Sequence, residues 1–177
     1  MTVATTALSW KRPIAGREED KSVRSVIVDS LDKEFAFLIE SLKELVRKVN
    51  ADQIYGHVGD TSFGEQILRS AAVMEQTLGG LTSNLWDDPF EWTLPETLST
   101  PDLVNDHLSE IDSLRKTFFR AIVNDEALNK YVAVPSGEPK TLIDVLRETL
   151  VRASDYRGRA VATLKILSGE GSPRFII

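Results

Sequence analysis

No cysteine occurs in the 177 residues, which removes disulfides, thiolate-held zinc, iron–sulfur clusters and a thiol nucleophile together. Any thiol chemistry would need a thiol brought by a substrate. Histidine is nearly as scarce: His57 and His107 are the only two, and neither has the spacing of a metal-ligand motif. No apolar run approaches the roughly 18 residues of a spanning helix, and Met1 to Arg12 lacks a basic region followed by a continuous apolar stretch, so a cytoplasmic protein without a membrane partner is expected. Runs of Lys and Arg are also missing, and the net charge of -6 opposes any nucleic-acid partner held by phosphate neutralisation.

What is present suits one folded domain. Hydrophobic residues make up 42% and charged residues 27%, the balance of an ordinary globular protein rather than a disordered one. Residues 1–21 show no sustained periodicity and read as an arm, with Trp10 as its anchor. From Ser22 the residues Ile27, Leu31, Phe35, Leu38, Leu42, Leu45 and Val49 recur at steps of four and three, which lines one face of a long helix. Ser62-Phe63-Gly64-Glu65 has the form of a capping box opening a second helix, faced by Ile67, Ala71, Met74, Leu78, Leu81 and Leu85. Gly79-Gly80 lacks phosphate-loop spacing and reads as a packing or weakening feature.

Trp86 to Ser99, with Pro89, Pro95, Phe90 and Trp92, is too punctuated for a core helix and reads as a cover over one end. Thr100-Pro101-Asp102 supplies a cap, a proline at the first helical position and an early acid, starting a third helix through about Val123. Its face is Val104, Leu108, Ile111, Leu114, Phe118 and Ile122. After a turn-rich stretch, Thr141 caps a fourth helix carrying Leu142, Val145, Leu146, Thr149, Ala153, Tyr156, Ala160, Leu164 and Leu167, and Gly169 stops it. Four amphipathic helices with no convincing alternating strand predict an all-α four-helix bundle over 22–169, followed by a tail at 170–177 whose Phe175-Ile176-Ile177 end is apolar enough to dock.

Four phrases carry a family resemblance: Thr61-Ser62-Phe63-Gly64-Glu65-Gln66-Ile67-Leu68-Arg69, then Glu75, then Val134-Pro135-Ser136-Gly137, then Arg152-Ala153-Ser154-Asp155-Tyr156-Arg157-Gly158-Arg159. Together they resemble the DinB-like family, also called damage-inducible or thiol-transferase-like, across roughly Ser30 to Gly169. The last phrase is similar to that family's H-x-x-x-H-R-G-Q. The resemblance implies a DinB/YfiT-like metalloenzyme fold in which one His of the second helix and two of the fourth hold a divalent ion. The matching positions here are Arg69, Arg152 and Tyr156, and a guanidinium cannot be deprotonated to serve as a ligand. The family's metal triad is therefore absent, and no cofactor is expected.

The replaced triad leaves two readings. Arg69 and Arg152 with Tyr156 could take an anionic ligand by charge-assisted hydrogen bonds, with Glu75 and Asp155 beside them. Alternatively Glu65, Glu75, Glu148 or Asp155 neutralises the arginines in a structural ion-pair network. The leading expectation is a metal-free binding or interaction protein, a homodimer with an anion-binding pocket. Its alternative is a metal-dependent transferase of low-molecular-weight thiols, or a related hydrolase or isomerase, holding an ion through Glu75, His107 and Asp155. His107 beside Asp106 reads as a hydrogen-bonded boundary residue, with acid–base chemistry as the rival role. Ser62 reads as a cap, not a nucleophile.

Overall fold

The computed structural model of the chain describes residues 25–91, 96–135 and 137–169. The arm with Trp10, the connector residues Trp92 and Pro95, Ser136 and the tail with Phe175-Ile176-Ile177 lie outside the described residues.

Helix-period stripes dominate, and the fold is mostly helical. The element order is α1 (Val26–Val46), α2 (Ala51–Ile54), β1 (His57–Val58), β2 (Thr61–Ser62), α3 (Phe63–Ser83), α4 (Pro101–Ala121), β3 (Tyr131–Val132), β4 (Lys140–Thr141) and α5 (Leu142–Leu167), with single 3₁₀ segments at Pro89–Glu91 and Asp125–Asn129. The long helices pack as pairs, α1 on α4 and α3 on α5, with further contacts of α3 to α4 and α1 to α5. One core results, built around Phe35, Leu42, Ile67, Met74, Leu108, Ile111 and Leu146.

The capping chemistry stands where the sequence put it. Ser62 Oγ accepts from the Glu65 backbone N–H, while the Glu65 carboxylate accepts from the Ser62 N–H at 2.8 Å. Thr100 and Thr141 accept the backbone N–H of Leu103 and Asp144. Gly169 follows the end of α5 with φ of +71°, a left-handed position that favours glycine.

Four short strands were not expected. His57 and Val58 pair antiparallel with Ser62 and Thr61, and Tyr131 and Val132 with Thr141 and Lys140. Each two-residue hairpin feeds directly into a helix, β2 into α3 and β4 into α5. Strands this short carry no alternation for a sequence pattern to detect. Two helix ends also differ from the predicted faces: α1 stops at Val46, and α3 stops at Ser83 with Asn84 left-handed at φ of 56°, which turns Leu85 out to solvent.

Candidate functional site

The seam between α3 and α5 is where buried polar groups meet small residues. Ser70 Oγ donates to the Ala153 carbonyl at 2.8 Å, and one turn pair further along the hydroxyls of Thr77 and Thr149 share a 2.8 Å hydrogen bond. Contacts that rise along α3 and fall along α5 make the two helices antiparallel. Beyond the threonine pair Trp86 returns over α3 after the Asn84 turn. Trp86 lies so close to Gly80 that a Cβ there would fall 2.3 Å from the indole ring. Its carbonyl accepts from Gln76 Nε2 at 2.9 Å, and its Nε1 donates to Asn84 Oδ1 at 3.3 Å.

Trp86, the β3–β4 loop residues Val134 and Pro135, Val145, and the Thr77–Thr149 pair line an open cleft of about 280 Å³. Lys140 and Glu148, joined at 2.6 Å, stand at its rim. Gln76 and Arg152 line both this cavity and a second one of about 40 Å³, whose other walls include Arg69, Asp88, Phe90 and Tyr156. The two cavities form one groove with Arg152 at their junction.

Three of the five candidate site residues therefore come together. Arg69, Arg152 and Tyr156 line the smaller cavity, Arg69 lying 4.1 Å over the Phe90 ring and Tyr156 carrying Arg159 at 5.3 Å over its own. Both arginines are exposed. The other two candidates lie elsewhere. Glu75 is six residues beyond Arg69, about 240° further round the helix, and faces α4. There its Oε2 comes 3.4 Å from His107 Nε2 without a hydrogen bond between them. Asp155 is exposed and bonded to Arg159 at 2.6 Å.

The predicted ion-pair network does not form among the described residues. Glu65 is committed to its cap, Glu75 to His107, Glu148 to Lys140 and Asp155 to Arg159. That leaves neither Arg69 nor Arg152 ion-paired there. The nearest carboxylate in their cavity, Asp88, accepts the Phe90 backbone N–H in a tight turn.

The three positions that the resemblance singled out, Arg69, Arg152 and Tyr156, line one small cavity and bring no His or carboxylate to it. Two guanidinium groups and a phenol do not fit a divalent ion, and no step is derived through one. The alternative set is also dispersed: Glu75 and His107 adjoin, but Asp155 is on another helix with its own cation.

Among the described residues one charged side chain is buried, Arg115, which the predicted helix face left out. Arg115 is only 7% exposed and is held by Asp32 of α1 and by Asp112 at 2.8 Å, which also takes Lys116 at 2.6 Å. Burial pushes the Asp112 carboxyl up, but hydrogen bonds and charge from Lys116 and Arg115 outweigh it, and the group sits below the usual range. The signal was in the spacing. Steps of four and three from Val104, Leu108 and Ile111 land on Arg115 before Phe118, and the predicted face chose Leu114 instead.

No family model matches the chain, and no curated protein matches it significantly. A solved structure, a conserved protein of locus from Enterococcus faecalis, is similar in fold with a TM-score of 0.65 at 16% identity, over 84% of this chain and 100% of that one. At that identity the likeness speaks for the fold alone. Among the described residues no helix is long and apolar enough to cross a membrane.

Proposed function

We propose that this chain is a DinB-like four-helix bundle that works without the family's metal, as a binding protein taking a small anion in the groove between α3 and α5. The observation that carries the reading is the pair Arg69 and Arg152, which reach one cavity with Tyr156 and have no carboxylate partner among the described residues. On a chain of net charge -6, two unneutralised guanidinium groups at one cavity make a local exception to the surrounding field. Guanidinium groups bind oxyanions through paired, charge-assisted hydrogen bonds. The homodimer belongs to the same proposal, resting on the family resemblance and on the apolar Phe175-Ile176-Ile177 tail, and so does the cytoplasmic setting expected from the sequence.

The test is calorimetric titration of acetate and inorganic phosphate into wild type, Arg69→Ala and Arg152→Ala. Saturable binding that weakens at least tenfold in either variant, with helical content unchanged, supports the reading. Absence of saturable binding by both anions overturns it. Elemental analysis after loading with zinc, nickel or manganese and desalting separates the transferase reading: stoichiometric metal lost on changing Glu75 or His107 would replace the proposal with an enzyme.

A further inference from the structure

We propose, resting on the anion-binding reading, that the ligand is a small monocarboxylate bearing one ring that carries a hydrogen-bond donor. The groove divides into a charged head site and a larger body site of mixed polar and apolar lining, joined at Arg152 and Gln76. The head site, about 40 Å³, has room for a headgroup and little else. Asp88 shares that cavity, so a second negative charge on the ligand meets repulsion, and a flat two-oxygen carboxylate suits the guanidinium forks better than a dianion.

The body site, about 280 Å³, falls just below the range of about 300–1,000 Å³ that holds drug-sized ligands, so it admits one ring rather than several. Trp86, Pro135, Val134 and Val145 supply its apolar surface, and Trp86 is fixed by its ring packing on Gly80, by its Nε1 donating to Asn84 and by its backbone carbonyl accepting from Gln76. A fixed aromatic wall favours a flat partner over a flexible alkyl chain.

The threonine pair in the lining sets the polarity of the ring substituent. Thr149 has one hydroxyl proton and donates it to the Val145 carbonyl at 2.8 Å. The shared 2.8 Å bond between the threonines must then use the Thr77 proton. Thr77 Oγ is left with lone pairs and no proton, so a ligand atom meeting it has to donate.

Calorimetry on the full chain with acetate, phenylacetate and 4-hydroxyphenylacetate tests this. The expected order is acetate weakest, phenylacetate at least about tenfold tighter, and 4-hydroxyphenylacetate about tenfold tighter again, since a site built around a polar partner discriminates against analogues lacking it. Thr77→Val should bring the two aryl acids level while leaving acetate unchanged. Pro135→Gln, a neutral change at an exposed wall residue, should weaken both aryl acids more than acetate. Arg152→Ala should weaken all three. Phenylacetate binding no tighter than acetate, or no preference for the hydroxyl, overturns this inference and leaves the anion reading standing. Failure of all three acids while inorganic phosphate still saturates the protein likewise overturns only this inference, and failure of phosphate as well overturns both.

Discussion

Three arginines on long helices have opposite fates, and the difference is environment. Arg115 is buried between two carboxylates, whereas Arg69 and Arg152 are exposed at the groove. Removing Arg115 strands Asp32 against a partly closed interior while Asp112 keeps Lys116, and breaking such a pair by one partner is costly because a charge stays behind without its neutraliser. Arg115→Ala should lose about 3 kcal/mol in urea unfolding, whereas Arg69→Ala and Arg152→Ala should stay within about 0.5 kcal/mol of wild type. Equal losses at all three would mean that the groove arginines carry structural ion pairs after all. The sequence alone could not rank the three. Helical spacing tells which residues share a face, and both Arg69 and Arg115 sit beside or on apolar stripes, but the partner that decides burial comes from another helix.

At the scale of elements, Gly79 and Gly80 are the sharpest contrast. Both lie inside α3, where glycine is worth about 1 kcal/mol less than alanine. A Cβ on Gly79 meets the Leu85 carbonyl at an ordinary 3.4 Å, but on Gly80 it falls 2.3 Å from the Trp86 ring. Gly79→Ala should therefore raise thermal stability slightly, by up to about 1 kcal/mol, while Gly80→Ala should lower it and expel Trp86, with loss of ligand binding in the body cavity. A Gly80→Ala protein with unchanged binding would show that Trp86 is not a wall the groove depends on. The long helices and their capping residues were legible because they rest on local rules: side chain to nearby N–H, and apolar residues every three or four. The β1–β2 and β3–β4 hairpins and the four-residue α2 were not, since two to four residues hold too little pattern. Asn50 and Gln53 do close a capping box on α2, and that signature was readable.

Over the whole molecule, the groove was only half legible. Matching phrases placed Arg69, Arg152 and Tyr156 on two helices, and antiparallel packing of α3 against α5 brings them together. The larger cavity depends on Trp86 turning back through the left-handed Asn84 and on a hairpin loop, which no helical periodicity encodes. The same assembly predicts how stability responds to pH at both ends. Burial pushes Glu65 up, but its hydrogen bonds from the Ser62 backbone, Thr61 and Ser62, with the charge of His57, bring it below its ordinary value, as for Asp112. Groups depressed in the folded state leave the unfolded chain binding more protons, so their contribution is complete above the ordinary carboxylate range and is lost as pH falls through it. On the alkaline side, burial together with the charges of Glu65 and Glu96 pushes Tyr55 from 10.0 to about 12, and its hydroxyl donates to the Leu98 carbonyl at 2.5 Å. A raised group stabilises fully below its unfolded value, so this contribution fades as pH climbs from about 10 to about 12. Urea midpoints measured against pH should fall at both extremes. Glu65→Gln, which keeps a side chain able to reach the Ser62 N–H, should flatten the acid limb. Tyr55→Phe should flatten the alkaline limb and leave the acid limb as in wild type. An acid limb unchanged by Glu65→Gln would assign acid sensitivity to other carboxylates and remove the cap of α3 from the account.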